Sequence, residues 1–389
     1  MPWFGFGFNA FGQIYVHEDL IKGECSDSAK QVKVSKPTEL SGQVDRRDCC
    51  LKTEIRASWS RRASLHLDSD SCVCLAGFVS SESCNALPVK ESRGCKDAII
   101  SESYLTLAFS DRLESWDLQK EEKTPSWSMA IKTHPESSGP SVDLPLVPGG
   151  YIATTPPLYR SLSPQLRAKS LALSSEHAVL LSASGAVYTW GLGSHGQLGH
   201  GGLTSEEEPR VVEALWGMTM SCVATGSWHS VCISDGGDLY VWGWNESGQL
   251  GLPSRGLRKA LQQQSSQQAG ALHPDASTSP AEEPQEGEKH EEVFISIQAF
   301  PALLDVTPSS CEIRTVSCGC RHTAAVSTTG DLYTWGWGDY GQLGQQTLVS
   351  SDEPQRVEFF REQQMHVTDV VCGAWNTFAA VVKEDVACS

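Results

Sequence analysis

The chain has 389 residues, of which 40% are hydrophobic and 20% charged, a composition that supplies enough apolar side chains for a sizeable core. Its 30 lysines and arginines stand against 47 aspartates and glutamates, and the formal net charge of −17 disfavours direct binding to DNA phosphates or anionic lipid. The first residues lack the basic and apolar regions of a secretory signal, so we expect an intracellular protein without a membrane span.

The first 15 residues predict one β-strand and a turn, which is only half of a structural repeat. Aromatic residues and glycines alternate from Phe4 to Phe8, and Gly12-Gln13-Ile14 follows. The stretch from Phe6 to Ile14 matches the stretch from Trp242 to Leu250 position by position. The missing half of this repeat must therefore be sought elsewhere in the chain.

Residues 16–169 carry weaker copies of the same repeat and predict degenerate β-propeller blades. The segment from Ser58 to Leu65 keeps the spacing of a G-x-x-H motif, with Ser58 in place of glycine and Arg61 in place of histidine. The segment from Leu105 to Trp116 ends in DRLESW, which resembles the GDLYTW of a clear copy.

Clear copies of the repeat occupy residues 170–253 and 293–382. In each copy a histidine precedes a tryptophan by 13 residues, and glycines follow the tryptophan at fixed positions. The structural repeat positions are His177, Trp190, Gly191, Gly193 and Gly196 in the first copy, His229, Trp242, Gly243 and Gly248 in the second, and His322, Trp335, Gly336, Gly338 and Gly341 in the third.

Each clear copy predicts a four-stranded antiparallel blade. HAVLLS and VYTWG around a Ser-Gly turn indicate a hairpin, and the segments that begin at Pro209 and Pro354 predict a third strand. We expect the fourth strand at Cys222–Ala224 in one unit and at Val370–Cys372 in the other. Such a blade buries its faces only against neighbouring blades, which is the arrangement in a β-propeller.

Residues 254–292 interrupt the repeats with a polar, acidic segment that contains several prolines and predicts a disordered insertion. Two interpretations remain open: an insertion that is tolerated at a blade edge, and an acidic arm that docks onto a partner.

The last residues supply the half-repeat that the amino terminus lacks. Gly373 and Asn376 keep the G-x-x-H spacing, with Asn376 in the histidine place, and the chain ends before any Trp-Gly pair. We expect the two half-repeats to form one blade, which closes the ring and removes two exposed strand edges. The ring-closure residues are Trp3, Phe6, Gly7, Gly12, Gly373 and Asn376. Residues 1–389 are thus predicted to form a single all-β, closed propeller of six or seven blades, with seven favoured.

Several sequence patterns resemble ligand-binding sites, but we interpret them as structural features of the repeat. Two G-x-G-x-x-G matches, at Gly191 and Gly336, lack the following helix of a dinucleotide site and are interpreted as tight turns. The three repeat histidines belong to separate blades, so we expect structural hydrogen bonds within each blade rather than a zinc site. We predict free thiols for the cysteines, and no catalytic, metal or cofactor-binding residue. Partner-binding residues remain unassigned, although exposed tryptophans such as Trp59 or Trp375 are candidates.

The motif from Trp190 to Gly199, W-G-x-G-x-x-G-Q-L-G, resembles the regulator-of-chromosome-condensation repeat. The resemblance implies a seven-bladed, non-enzymatic interaction scaffold in the nucleus, with some protein in the cytoplasm. It also implies a JmjC-type 2-oxoglutarate oxygenase as partner, association with chromatin or histones, and a role in histone methylation and chromosome segregation. The alternative implied by the family is a guanine nucleotide exchange factor for a small GTPase.

Overall fold

In the computed structural model, the described residues form seven antiparallel β-sheets, which confirms the closed β-propeller and fixes the number of blades at seven. The structure describes residues 1–14, 32–40, 52–67, 70–78, 87–120, 124–131, 143–259, 293–306 and 311–383. We number the blades along the chain, so that blade 7 contains strands from both termini.

The strands are numbered β1 to β27 in chain order. Blade 1 contains β3 (Lys52–Ala57), β4 (Arg61–Leu67), β5 (Cys72–Gly77) and β6 (Leu87–Pro88), and blade 2 contains β7 (Asp97–Ile100), β8 (Tyr104–Ala108), β9 (Arg112–Asp117) and β10 (Trp127–Ala130). Blade 3 has three strands, β11 (Leu146–Val147), β12 (Gly150–Ile152) and β13 (Tyr159–Ser161).

Blade 4 contains β14 (Ala168–Leu173), β15 (His177–Ser182), β16 (Val187–Gly191) and β17 (Glu206–Val211), and blade 5 contains β18 (Met220–Thr225), β19 (His229–Ser234), β20 (Leu239–Trp244) and β21 (Ile297–Leu304). Blade 6 contains β22 (Ile313–Cys318), β23 (His322–Ser327), β24 (Leu332–Gly336) and β25 (Ser351–Arg356). Blade 7 has the order β2 (Lys33–Glu39), β1 (Trp3–Phe8), β27 (Asn376–Lys383), β26 (Met365–Cys372).

Helical structure is limited to short connections between strands. Residues 255–259 are helical, an α-helix that we call α1 spans Glu358–Glu362, and 3₁₀ turns span Lys90–Ser92, Pro164–Leu166 and Glu213–Leu215. Within the described ranges, no helix has the length and apolar character needed to cross a bilayer.

The burial of each strand follows its place in the blade. The second strand of a clear blade, such as β15 or β23, is buried along its whole length because neighbouring blades cover both of its faces. The outer strands β17 and β25 are half-exposed and contain Pro209 and Pro354 within the strand. An edge strand tolerates proline because its outer N–H groups need no partner.

The predicted fourth strand of each repeat belongs to a different blade. Cys222–Ala224 lies in β18, the first strand of blade 5, and Val370–Cys372 lies in β26, the first strand of its own half of blade 7. These first strands contact one another around the ring: β14 with β18, β18 with β22, β22 with β26, and β26 with β3. The assignment was wrong because a periodic sequence defines the length of a unit and leaves open which strand begins a blade.

Both termini meet in blade 7, as the complementary half-repeats predict. Strand β1 pairs antiparallel with β27, and Phe6 lies opposite Thr377 while Gly7 lies opposite Asn376. On its other side β1 pairs with β2. Phe6 and Phe378 are fully buried in a core cluster that also includes Ile55 of blade 1 and Val326 of blade 6. The ring is therefore closed by strand pairing and by side-chain packing on both sides of the seam.

The weaker copies occupy the same register as the clear ones. Arg61 lies opposite Gly77 in blade 1, just as His229 lies opposite Gly243 in blade 5. The residues predicted as an insertion connect β20 to β21, so they lie between the third and fourth strands of blade 5. Residues 254–259 of this segment are described: Ser254 is buried, its Oγ donates to the carbonyl oxygen of Glu246, and residues 255–259 are helical. Residues 260–292 fall outside the described residues, and their predicted disorder stays a prediction. Among the cysteines that the structure describes, none forms a disulfide.

Candidate functional site: the aromatic arc

In each blade, the start of the second strand lies beside the end of the third strand, and these ends together form one face of the propeller. Here each clear blade pairs its repeat histidine with a glycine: His177 with Gly191, His229 with Gly243, and His322 with Gly336. Blade 7 has the equivalent pair Asn376 and Gly7. We call this face the histidine face.

Through Nε2, all three histidines form hydrogen bonds between blades. The predicted bond within a blade occurs only at His177, whose Nδ1 lies 3.0 Å from Ser174 Oγ, whereas Nδ1 of His229 and of His322 has no partner among the described residues. His229 Nε2 of blade 5 lies 3.0 Å from Thr323 Oγ1 of blade 6. That hydroxyl donates to the carbonyl oxygen of Gln249 in blade 5 at 2.8 Å, and Trp335 Nε1 donates to the same oxygen at 3.0 Å. The equivalent contacts are His177 Nε2 to Ser230 Oγ at 2.7 Å and His322 Nε2 to Thr377 Oγ1 at 2.9 Å.

This arrangement determines the protonation of the rings. Each hydroxyl has a single proton and donates it to a glutamine carbonyl, so it must accept a proton from histidine Nε2–H. Burial lowers the pKa of each ring to about 3, so the histidines are neutral Nε2–H tautomers that join consecutive blades. Across the part of the chain that the structure describes, no three His, Cys, Asp or Glu side chains are grouped so that they could hold a metal ion.

The repeat glycines lie where a side chain would collide with the neighbouring strand. Gly243 has a φ of +111°, and a Cβ there would overlap the carbonyl oxygen of Trp228. The remaining glycines with positive φ at predicted positions are Gly7, Gly12, Gly191, Gly196, Gly248, Gly336 and Gly341. Gly193, Gly338 and Gly373 instead lie against backbone oxygens of Thr204, Val349 and Ser58. The predicted repeat positions thus build the scaffold that holds the residues beside them.

Burial has a measurable consequence for the pH dependence of stability. It lowers the pKa of His177, His229 and His322 to about 3 each, while an unfolded histidine titrates near ~6.5. The unfolded chain therefore binds more protons between these values, and stability present above about pH 6.5 is lost as the pH falls towards 3. We expect a loss on the order of 2 kcal/mol per histidine between about pH 6.5 and 5, measured by urea unfolding.

The control is His322→Asn, because Asn376 occupies the equivalent place in blade 7. This variant should lose about one third of the histidine-dependent slope. An unchanged slope would show that His322 does not titrate as its burial requires.

Aromatic side chains cover the histidine face over four consecutive blades, and we call this set the aromatic arc. Its members are Trp228 and Trp244 (blade 5), Trp337 and Tyr340 (blade 6), Trp375, Phe8 and Phe11 (blade 7), and Trp59 and Phe78 (blade 1). Most are half-buried, whereas Trp59 and Phe78 are 47% and 55% exposed.

From Trp337 to Trp59 the rings form a continuous chain of contacts, mostly edge to face. Trp337 lies 4.7 Å from Trp375 and 5.2 Å from Tyr340 between ring centroids, and Tyr340 lies 4.9 Å from Phe8. The chain of contacts continues from Phe8 to Phe11 at 5.8 Å and from Phe11 to Trp59 at 5.6 Å. Offset and edge-to-face pairs of this kind are favoured over stacked ones.

The arc follows from the strand register. Trp228 and Trp375 directly precede the residue in the histidine place, and Trp244, Trp337, Phe8 and Phe78 directly follow the paired glycine. Blade 4 has Glu176 and Leu192 at these two positions, and blade 2 has Ser103 and Leu118. One half of the face is therefore aromatic and the other half is not.

Only two members of the arc, Trp59 and Trp375, were anticipated as candidates for partner contacts. The structure brings them to the same face, joined through Phe8, Phe11 and Tyr340. The other members could have been found by reading the residues on either side of the His–Gly pair in every repeat. Large aromatic residues are enriched in the central, well-packed parts of protein interfaces, so this surface is suited to binding a protein.

Comparisons with known proteins agree with this architecture. Models of the "Regulator of chromosome condensation (RCC1) repeat" match residues 184–233, 236–274 and 329–380, and also 168–197, 221–249 and 313–342. The chain is 40% identical over 400 residues to RCC1 domain-containing protein 1 of Homo sapiens, covering 98% of this chain and 97% of that protein.

Among solved structures, the chain is similar to yeast RCC1 (Prp20) bound to Kap60, with a TM-score of 0.69, 16% identity, and coverage of 99% of this chain and 89% of that one. A second structure, Prp20p of Saccharomyces cerevisiae, studied for its binding to Gsp1p and histones, gives a TM-score of 0.67, 16% identity, and coverage of 99% and 92%. At this identity the structural likeness concerns the fold alone.

Proposed function

Because the chain belongs to the regulator of chromosome condensation (RCC1) repeat family, we propose that it is a non-enzymatic scaffold that binds a protein partner through the aromatic arc. The observation that carries this proposal is the grouping of nine aromatic residues in contact along one face of four consecutive blades. The scaffold beneath much of the arc is preorganised, since buried histidines and tryptophans join blades 4 to 7 to one another. A preorganised aromatic surface binds with little loss of side-chain entropy.

We propose further that the partner is a JmjC-type 2-oxoglutarate oxygenase and that the complex acts in histone methylation and chromosome segregation. The support is the family resemblance of the sequence and the identity of 40% to a human relative over nearly the whole chain. The complex would reside in the nucleus, with some protein in the cytoplasm. Chromatin association would occur through this partner or through histones rather than DNA, because the net charge is −17.

The test compares the double variant Trp337→Ala, Trp375→Ala with Trp216→Ala. Trp216 is 82% exposed and follows the outer strand β17, at the opposite end of its blade from the histidine face. Tagged proteins are incubated with nuclear extract at low salt, and the recovered JmjC-type oxygenase is quantified. We expect the double variant to lose at least about tenfold in recovery and Trp216→Ala to bind as the wild type does.

The melting temperatures of the wild type and both variants are measured as well. Equal melting temperatures establish that a variant that has lost binding is still folded. Recovery of no nuclear protein by the wild type would contradict the scaffold proposal. Equal recovery by the double variant would contradict the placement of the binding surface.

A guanine nucleotide exchange factor for a small GTPase is the second candidate. The observation that favours it is the shared fold with Prp20p, whose binding to Gsp1p has been studied. The purified chain is incubated with Ran that carries a fluorescent nucleotide. Nucleotide release above the intrinsic rate would establish exchange and displace the scaffold proposal.

A further inference from the structure

We propose that Arg321 is the anchor point of the aromatic arc and that it binds the carboxylate of an aspartate or glutamate in a segment of the partner protein. This inference rests on the proposed function, because it assigns the chemistry of the partner at the same surface. It places an acidic side chain of the partner on Arg321, with apolar neighbours on the adjacent tryptophans.

Arg321 fills the one gap in the chain of aromatic contacts. Its guanidinium carbon lies 4.8 Å from the ring centroid of Trp244 and 5.8 Å from that of Trp337. Trp244 in turn contacts Trp228 at 5.4 Å, and Trp337 contacts Trp375 at 4.7 Å. The cation therefore lies between two tryptophan pairs: Trp228 and Trp244 of blade 5 on one side, and Trp337 of blade 6 with Trp375 of blade 7 on the other.

Within the described ranges, the guanidinium of Arg321 has no partner of opposite charge. No ion pair and no side-chain hydrogen bond joins it to another described residue, and its buried Nε–H lacks an acceptor. A guanidinium has five N–H donors. The Nη groups are not among the buried atoms, and their N–H donors remain open to an accepting group on a ligand.

Arg61 provides a contrast on the same face. It occupies the histidine place of blade 1 and stacks on Phe78 at 5.3 Å, yet its Nε donates to the carbonyl oxygen of Phe78 and its Nη1 to that of Glu102. The donors of Arg61 are thus used within the protein. The donors of Arg321 remain available for a ligand.

The position of Arg321 is fixed before any ligand binds. It directly precedes His322, whose ring bonds to blade 7, and its carbonyl oxygen accepts a hydrogen bond from Trp337 N at 2.8 Å. The flanking tryptophans are fixed by the strands that they end or follow. Planar guanidinium groups bind carboxylates in a two-pronged geometry, and prior ordering of the group strengthens such a bond.

The cations of the arc favour an acidic ligand over a basic one, because the carboxylate beside Trp59, that of Glu102, already accepts hydrogen bonds from Trp59 N and Ser60 Oγ. A second cation, Lys33, lies with its Nζ 5.6 Å from the ring centroid of Tyr340, on the same arc. A basic histone tail would meet Arg321 and Lys33 at this surface, and like charges brought together at an interface oppose binding. The overall charge of −17 therefore does not describe the chemistry of the arc.

The test selects peptides from a random library displayed on phage, with the full chain as bait. We expect the wild type to enrich peptides that combine aspartate or glutamate with leucine or aromatic residues. Arg321→Gln should abolish the acidic preference, and Arg321→Glu should shift it to lysine and arginine. The matched control is Arg361→Gln, which removes the same charge from exposed α1, away from the arc.

A selected acidic peptide is then synthesised, and its binding is followed by the tryptophan fluorescence of the chain. Arg321→Gln should weaken the affinity by about tenfold to a hundredfold, while Arg361→Gln leaves it unchanged. Arg321→Lys should fall between them, because lysine keeps the charge and loses the planar stacking. Replacement of the acidic residue by asparagine should weaken binding to the wild type as much as Arg321→Gln does.

The outcomes separate this inference from the proposed function. If Trp337→Ala, Trp375→Ala abolishes peptide selection while Arg321→Gln leaves the acidic preference intact, the scaffold stands and the inference is wrong. If the wild type enriches no peptide, both fail. Tighter binding of a phosphoserine peptide, or a dimer in sedimentation that Arg321→Gln dissociates, would assign the site to a phosphorylated partner or a second copy and overturn the inference as stated.

Discussion

Deletion of residues 2–10 is expected to lower the melting temperature by more than about 15 °C or to abolish cooperative unfolding. The deletion removes β1, which lies between β27 and β2 in blade 7. Trp3, Phe4 and Phe6 are buried there, and loss of each large aromatic side chain from a core costs about 3–5 kcal/mol. The sum approaches or exceeds the whole stability of a typical domain, which is about 5–15 kcal/mol.

The matched control replaces residues 260–292 by a short glycine-serine linker. This segment connects β20 to β21, whose pairing joins Leu239 to Leu304 and Trp244 to Ile297 without it. We expect a change of only a few degrees in the melting temperature, since lengthening or shortening a surface loop has a small entropic effect. Equal melting temperatures of the two deletions would contradict the ring closure.

The point variant Phe6→Ala extends the comparison to a chain that keeps β1. Phe6 is fully buried and lies opposite Thr377, in the place that tryptophan takes in the clear repeats. Its expected cost is about 3–5 kcal/mol, measured by urea unfolding. A cost below about 1 kcal/mol would show that the seam contributes little.

Closure of the ring could be predicted because the two half-repeats are complementary in sequence. Phe6-Gly7 supplies the aromatic–glycine pair, and Gly373 with Asn376 marks the start of the other strand. In blade 7, Gly7 lies opposite Asn376 and Phe6 lies opposite Thr377. The blade boundary could not be predicted in the same way. A repeat unit that begins at His177 or at Ala168 has the same period, and only the strand pairing shows that β14 opens blade 4.

Neither the hydrogen bonds of the histidines nor the aromatic arc could be predicted from the sequence, for two different reasons. Sequence periodicity shows that His229 and His322 are equivalent, but it does not show that their rings point into the following blade. The arc residues, by contrast, differ from repeat to repeat. Trp228, Arg321 and Trp375 occupy the same position in three blades, so no repeat consensus identifies them. Their proximity arises only when the blades are set side by side.

Gly319→Ala is expected to destabilise the protein by about 3–5 kcal/mol, the second large effect that the structure predicts. A Cβ at Gly319 would overlap Cε1 and Nδ1 of the His322 ring and lie 2.8 Å from the carbonyl oxygen of Gly373. The ring must then move, which breaks the bond of 2.9 Å from His322 Nε2 to Thr377 Oγ1 and leaves a buried donor unpaired. Urea unfolding measures the loss.

Gly202→Ala is the matched control, because the nearest atom to a Cβ there is Thr204 Oγ1 at 3.8 Å. Its effect should stay within about 0.5 kcal/mol. Blade 4 carries a side chain at the position equivalent to Gly319. There Ser174 Oγ lies 3.0 Å from His177 Nδ1, so the serine forms a hydrogen bond with the ring instead of colliding with it. In blade 6 the Nδ1 of His322 has no such partner and the ring lies directly over the glycine. Equal stability of Gly319→Ala and Gly202→Ala would mean that the glycine of G-x-x-H is retained for a reason other than packing of the histidine ring.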